Sequence, residues 1–148
     1  MKEIVFALEF RGSAAPEAGS DKKLRAKTSA TSQTLRSVLR ADGIQGGIET
    51  AGEGSASFES EVEIVGEGVF VESGSIRYGE AGKVSFRTVG QGTLGPSPLA
   101  GLQRGAVMWE VTRGEGRLAG AQGLITSNFT VGAQGEVVDN QYARLFLP

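Results

Sequence analysis

The sequence predicts an all-β protein: a single antiparallel eight-stranded up-and-down barrel, in which residues 1–148 form one domain. Three observations predict this fold class. Apolar and polar residues alternate along most of the chain with the period of a half-buried strand. Glycine accounts for 23 of the 148 residues and falls between the alternating segments, where turns and close backbone contacts require it. Several segments are apolar on both faces, so we expect the sheet to close into a barrel.

The first strand is predicted over residues 4–10, where Ile4, Phe6 and Phe10 share one face. A loop over residues 11–23, which carries Pro16, is expected to follow. From residue 55 onward the strand pattern is sustained, and short glycine-containing turns favour a meander barrel over a Greek-key sandwich. The later strands are expected over residues 55–65, 69–79, 84–89, 106–112, 124–131 and 136–147. Residues 90–105, which carry Pro96 and Pro98, are expected to form a longer connection.

The pattern of residues 24–43 fits two structures. Its Thr-rich first half is typical of a polar strand. In its second half Leu35, Val38 and Leu39 follow one another at helical spacing, and an Asp-Gly pair that can end a helix comes next. We therefore expect a strand followed by one short helix near 33–41.

The composition excludes several classes of chemistry. The chain contains no cysteine, which excludes disulfides, thiolate catalysis and sulfur-ligated metals. It contains no histidine, which removes the commonest general base and the imidazole metal ligand. Acid–base chemistry would depend on Asp, Glu, Lys or Tyr, and we expect neither a metal nor a cofactor.

The charge and the hydropathy pattern limit the partners. A net charge of −2 argues against general binding of nucleic acid. No apolar run reaches the roughly 18 residues that a membrane-spanning helix needs, so no membrane partner is expected. The apolar run at the N-terminus is interrupted by Glu3, Glu9 and Arg11, and fits a strand better than a signal peptide. We therefore expect a cytoplasmic protein.

The segment GEGRLAGAQG, residues 114–123, has some features of a phosphate-binding loop. Such a loop has the spacing G-x-G-x-x-G and precedes a helix, whose N-terminus donates hydrogen bonds to the phosphate. Here the spacing is G-x-G-x-x-x-G, Glu115 would repel a phosphate, and the residues that follow are typical of a strand. The segment is therefore interpreted as a glycine-rich hairpin.

The same hairpin resembles the G-x-G-x-[FL]-x-G-A-x-G signature of allene oxide cyclase-like and dirigent-like β-barrels, which include a bacterial branch of unknown function. The similarity continues more loosely to residue 140. The resemblance implies an eight-stranded barrel, lipocalin-like in shape, that encloses a hydrophobic cavity and forms a homo-oligomer, a dimer or a trimer. Characterised proteins of these families cyclise, isomerise or orient small apolar molecules. The matched hairpin contains none of their catalytic residues, so it implies an architecture and no active site.

The expected function is the binding of a small hydrophobic molecule inside the barrel, with cofactor-independent cyclisation or isomerisation as the associated enzymatic activity. The alternative is a non-catalytic oligomeric or partner-binding β-domain whose barrel is filled by its own side chains. The interior volume distinguishes them, because a dry, closed core without a cavity of a few hundred Å³ would defeat the ligand-binding hypothesis. The aromatic candidates for ligand binding are Phe86, Trp109, Phe129 and Tyr142.

Glu110 and Asn128 are the candidate catalytic residues. Glu110 shares a strand face with Met108. On the cavity side its carboxylate would have a raised pKa and could act as an acid or base, whereas on the outer side it would be solvated. Asn128 could polarise a carbonyl group or serve as a structural amide. The pattern leaves open which strand faces line the cavity.

Overall fold

The computed structural model describes all 148 residues. Its strands form one antiparallel sheet that closes on itself. Apart from two short strands that share one position, strands that follow one another in the chain pair with each other, and the last strand pairs with the first, which confirms the up-and-down order. The strands are β1 (Lys2–Pro16), β2 (Lys23–Arg40), β3 (Gly43–Gly66), β4 (Val69–Tyr78), β5 (Gly82–Thr88), β6 (Gly92–Pro96), β7 (Leu102–Gly116), β8 (Gln122–Gly132) and β9 (Glu136–Leu147). A single 3-10 turn, Gly79–Ala81, joins β4 to β5.

Nine strands fill eight positions of the ring, because β5 and β6 share one. Both lie between β4 and β7: β5 pairs with Ser73–Arg77 of β4, and β6 pairs with Val69 and Phe70 further along the same strand. The eight-stranded closure is therefore confirmed, with one of its strands broken. The break also places a short strand in the segment 90–105, where the sequence indicated only a connection.

The helix expected near 33–41 is wrong. Residues Gln33–Arg40 continue β2 and pair with Gly43–Thr50 of β3 after a bulge at Thr31 and Gln33. The loop expected over 11–23 is also shorter than predicted, because β1 runs on to Pro16. The polar, Thr-rich strand before the bulge is confirmed as the first half of β2.

Beyond the bulge the two strands form a ribbon, residues 33–50, that has no further strand neighbour. The side-chain amide of Gln33 replaces backbone pairing at the base of the ribbon. Its Oε1 accepts a hydrogen bond from the Glu9 N–H (2.7 Å), and its Nε2 donates to the Glu9 carbonyl (3.0 Å). The edge of β1 is thereby closed at the point where β2 turns away from it.

One half of the barrel interior is filled by large side chains. Trp109, Phe58 and Phe86 pack together, with the Phe86 and Trp109 ring centroids 4.4 Å apart. Below them Leu118 and Leu145 are almost completely buried. Burial of a large apolar side chain contributes about 1.5–3 kcal/mol, so these contacts form the main stabilising core.

Leu118 reaches the core because the glycine-rich hairpin of residues 114–123 folds inward. A Cβ on Gly114 would lie 1.9 Å from the Leu118 carbonyl oxygen, so only glycine permits the chain to double back there. Gly123 has a φ of +142°, and a Cβ on it would lie 2.1 Å from the Arg144 carbonyl oxygen. The hairpin interpretation is confirmed, and the glycines close one end of the barrel.

Candidate functional site

The other half of the interior contains a cavity of about 130 Å³. It lies at the end of the barrel where the β1–β2, β3–β4 and β8–β9 turns meet, opposite the Leu118 hairpin. Its wall is mainly apolar and includes Phe58, Phe70, Trp109 and Phe129, and the Phe70 and Phe129 rings meet edge to face with centroids 5.9 Å apart. The cavity is therefore an aromatic-walled pocket that rests on the filled half of the core.

A cluster of buried polar side chains borders this pocket. The interior-facing positions of a barrel are normally apolar, yet all six buried polar residues of the chain belong to this group. We call it the buried polar cluster; its members are Thr28, Ser60, Glu72, Ser127, Asp139 and Gln141. Four of them line the cavity directly, which gives an apolar pocket one polar wall.

Two serine–carboxyl pairs organise the cluster. The Ser60 hydroxyl donates to Oε1 of Glu72 across the β3–β4 hairpin, at 2.6 Å. The Ser127 hydroxyl donates to Oδ1 of Asp139 across the β8–β9 hairpin, also at 2.6 Å. The Gln141 amide adds a hydrogen bond to Oδ2 of Asp139 at 2.8 Å. Each carboxyl group is thus held in place by a serine on the adjacent strand of its hairpin.

Burial perturbs both carboxyl groups. Desolvation raises the pKa of Glu72 from 4.5 to about 7, against the opposing hydrogen bond from Ser60, and the charge of Asp139 raises it further. Desolvation likewise raises the pKa of Asp139 from 3.8 to about 6, against its hydrogen bonds from Ser127 and Gln141. No lysine or arginine lines the cavity, and neither carboxyl group takes part in an ion pair. Near neutral pH Glu72 is therefore partly protonated and Asp139 is mostly ionised, so the apolar pocket contains both an acidic proton and a negative charge.

Three buried polar atoms have no hydrogen-bond partner in the protein, and all three belong to residues at this site. They are Oγ1 of Thr28, Nε1 of Trp109 and Oε1 of Gln141. Thr28 and Trp109 line the cavity, and each is more than nine-tenths buried. The Trp109 N–H lies near enough to Glu72 to lower its pKa, and Gln141 does not line the cavity. Buried polar groups are paired in the large majority of cases, so the unpaired Thr28 hydroxyl on the cavity wall indicates a site for a polar group.

The break between β5 and β6 lies beside Glu72. Glu72 pairs with Val62 of β3 on one side but has no ladder partner on the side of the break. There the Thr88 hydroxyl accepts from the Glu72 N–H (2.7 Å) and donates to its carbonyl (2.9 Å). Here the interruption coincides with the more strongly perturbed carboxyl group.

The structure brings two of the four predicted aromatic residues to the pocket. Trp109 and Phe129 line it. Phe86 lies one layer deeper, buried against Trp109 in the filled half. Tyr142 points away from the interior and stays 43% exposed on the outer wall.

Neither predicted catalytic residue reaches the pocket. Glu110 lies on the outer wall, where its Oε1 accepts a hydrogen bond from the Arg87 guanidinium at 2.6 Å. Asn128 also faces outward and, with Tyr142, lines a groove below the ribbon. Glu110 follows the inward-facing Trp109 and Asn128 precedes the inward-facing Phe129. Because successive side chains of a strand point to opposite faces, both residues point outward.

Glu72 and Asp139 were missed in the sequence. The sequence does contain a pattern that indicates burial of Glu72. Glu72 lies on the same strand face as Phe70 and Ile76, which are apolar. Glu59, by contrast, alternates with Phe58 and is exposed, as expected for an outward carboxylate. A lone acid in phase with the apolar face of a strand marks a buried carboxyl group.

The site has no arrangement for a protein-bound metal, since no group of three or more Asp, Glu, His or Cys side chains is close enough to hold an ion. No helix of the protein is long and apolar enough to cross a membrane. Comparison of the chain with protein-family models, with curated protein sequences and with solved structures finds no match. The resemblance to the allene oxide cyclase-like and dirigent-like barrels therefore stays a prediction.

Proposed function

We propose that the protein binds a small hydrophobic molecule in the aromatic-walled pocket, with a polar group of that molecule directed at Glu72 and Asp139. The observation that carries this proposal is the meeting of an apolar cavity with a buried polar cluster whose hydrogen-bonding capacity is only partly used. Fixed polar groups at one end of an apolar pocket are the usual means by which a protein orients a small ligand.

The volume limits the size of that molecule. A pocket of about 130 Å³ falls short of the few hundred Å³ expected above for a ligand-binding barrel, and of the roughly 300–1,000 Å³ of most small-molecule sites. The proposal is therefore restricted to a smaller molecule than that expectation assumed. The pocket is close in volume to the engineered cavity of about 150 Å³ that is known to hold benzene. The proposed ligand, or the part of it that enters the barrel, is therefore about the size of one six-membered ring.

The same pair supports an enzymatic version of this function, a cofactor-independent isomerase or cyclase. In an isomerisation, the Asp139 carboxylate would accept a proton from the carbon next to a carbonyl group. Protonated Glu72 would hydrogen-bond the carbonyl oxygen as negative charge develops on it, and Asp139 would return the proton to a second carbon. Two carboxyl groups with raised pKa values near neutrality suit these opposite roles.

Titration with toluene, followed by NMR of the protein, tests the binding function. We expect saturable shifts at residues around the pocket, and native mass spectrometry of protein purified from its own host should show a retained small molecule. Phe129→Trp should fill the cavity and abolish binding, whereas the matched Tyr142→Trp on the outer wall should not. Absence of binding by the unaltered protein would favour the alternative, a non-catalytic domain with a filled barrel.

We further propose that the protein is a homo-oligomer joined through the apolar face of the ribbon. On that face Leu35 pairs with Ile48 and Leu39 with Ile44, and Leu39 and Ile44 are each at least 80% exposed. An apolar surface of this kind is typical of an interface. Light scattering after size exclusion should show a dimer or trimer that Leu39→Asp dissociates.

Thr34→Asp, on the opposite face of the ribbon, should leave that assembly intact. A monomer in the unaltered protein would refute the proposed interface.

The cytoplasmic location, expected from the interrupted apolar run at the N-terminus, stays a prediction.

A further inference from the structure

The hydrogen bonds within the buried polar cluster leave a surplus of acceptors. The hydroxyls of Ser60 and Ser127 and the Gln141 amide already donate to the carboxyl groups. On the cavity wall the unpaired Thr28 hydroxyl can donate as well as accept, and the Trp109 indole N–H lies near enough to Glu72 to lower its pKa. The carboxyl oxygens of Glu72 and Asp139 keep acceptor sites that these few donors do not fill, because a carboxylate can accept about four hydrogen bonds. A ligand group that donates several hydrogen bonds is therefore complementary to the two carboxyl groups.

The charge of the site is also uncompensated. Glu72 and Asp139 line one cavity, the charge of Asp139 helps to raise the pKa of Glu72, and no lysine or arginine lines that cavity. Buried carboxylates are almost always paired with a cation, because an isolated buried charge is costly. Aromatic rings form the rest of the wall, and their faces also attract cations.

We propose that the pocket takes a small hydrophobic primary amine, whose protonated amino group binds between Glu72 and Asp139. An ammonium group supplies three donors and one positive charge, which matches both the surplus of acceptors and the missing cation. Its apolar part would lie against Phe70 and Phe129. This inference rests on the proposed function, since it names the ligand class of the same pocket.

Other ligand classes fit less well. An anion would meet two acids and no base. A divalent metal ion needs about six oxygen ligands, and the site offers two carboxyl groups. A neutral molecule of the same shape could fill the cavity, but it would leave the carboxylate charge unpaired. The neutral molecule is therefore the comparison that an experiment must make.

The test uses three probes of similar size: benzylamine, the neutral benzyl alcohol and the apolar toluene. Dissociation constants are measured at pH 7 by NMR titration of the full chain. We expect benzylamine to bind at least about tenfold more tightly than benzyl alcohol, the ratio expected of a buried charge-assisted contact. In the double variant Glu72→Gln/Asp139→Asn this preference should fall to less than about threefold, while toluene still binds. Glu59→Gln, an outward carboxylate on β3, should keep the full preference.

Equal binding of the amine and the alcohol would refute the amine and leave the proposed cavity function standing. A preference for benzylamine that survives in the double variant would place the amine elsewhere and would also refute the inference. Failure of all three probes to bind would overturn the proposed function itself, and the amine with it.

Proton release provides an independent readout. Near pH 7 the Glu72 carboxyl is about half protonated, because burial raises its pKa to about 7. An ammonium group beside it favours the ionised form, so benzylamine binding should release roughly half a proton at that pH. Calorimetry in two buffers of different ionisation enthalpy measures this quantity. Benzyl alcohol should release no proton, and equal release by the two probes would contradict the proposed contact.

Discussion

The stability of this protein should fall as the pH rises from 4 to 8, and the two buried carboxyl groups should cause the fall. A carboxyl group whose pKa is higher in the folded state binds a proton more tightly there than in the unfolded chain. Folding is therefore favoured while the group is protonated, and the advantage is lost as the pH rises through the folded-state pKa. For Glu72 the loss spans pH 4.5 to about 7, and for Asp139 it spans pH 3.8 to about 6.

The magnitude follows from the same values. One pKa unit corresponds to about 1.4 kcal/mol, so each carboxyl group should lower the free energy of unfolding by about 3 kcal/mol. Both groups are more than nine-tenths buried, so solvent screening reduces this little. In a chain of 148 residues, 1 kcal/mol corresponds to roughly 2–4 °C in Tm. The melting temperature should therefore be lower at pH 8 than at pH 5 by roughly 10 °C or more.

Urea unfolding monitored by fluorescence of the single tryptophan, Trp109, provides the assay. The free energy of unfolding is measured at intervals from pH 4 to 8 for the unaltered protein, for Glu72→Gln and for the double variant Glu72→Gln/Asp139→Asn. The pH-dependent loss should be about halved in the single variant and nearly absent in the double variant. The control Glu59→Gln should follow the unaltered protein. A free energy of unfolding that is flat or rises over this range would refute the assignment of two buried, uncompensated carboxyl groups.

Three further predictions concern the frame that holds the site. Leu118→Ala should lower the free energy of unfolding, measured with urea, by about 2–5 kcal/mol, because it leaves a cavity at the filled end. The control Leu99→Ala, in an exposed turn, should lower it by less than about 0.5 kcal/mol. Gly123→Ala should cost at least about 2 kcal/mol, because its Cβ would meet a carbonyl oxygen, and Gly43→Ala, with open space around it, should be neutral. Equal costs within either pair would contradict the packing described here. Gln33→Ala should accelerate amide hydrogen exchange at the edge of β1, where its side chain replaces a strand; unchanged exchange would show that this contact does not hold the edge.

Most of the barrel could be predicted from the sequence, because strand alternation and glycine turns are local signals. The ribbon could not. Leu35 and Leu39 are four residues apart, a spacing that puts them on one face of a helix and equally on one face of a strand. The partners that decide the matter, Ile48 and Ile44, lie across a turn and become visible only through strand pairing.

The site was less accessible to sequence reasoning, since it depends on which face of each strand points inward. Glu110 and Asn128 lie on the outer face of β7 and β8, whereas the two carboxyl groups that line the cavity lie on β4 and β9. Glu72 and Asp139 belong to hairpins on different parts of the ring, and only closure of the ring brings them to one pocket. No local sequence pattern indicates a contact between residues so far apart in the chain.

Closure through β1 and β9 also affects how the chain reaches its native state. Lys2 pairs with Leu147 and Ser13 with Glu136, so β1 finds this partner only when β9, more than a hundred residues further along the chain, has been synthesised. Contacts of such long range slow folding, and an unpaired strand edge can recruit another chain in the meantime. Variants that weaken β9 should therefore reduce the yield of soluble protein more than their effect on the stability of the finished barrel would indicate.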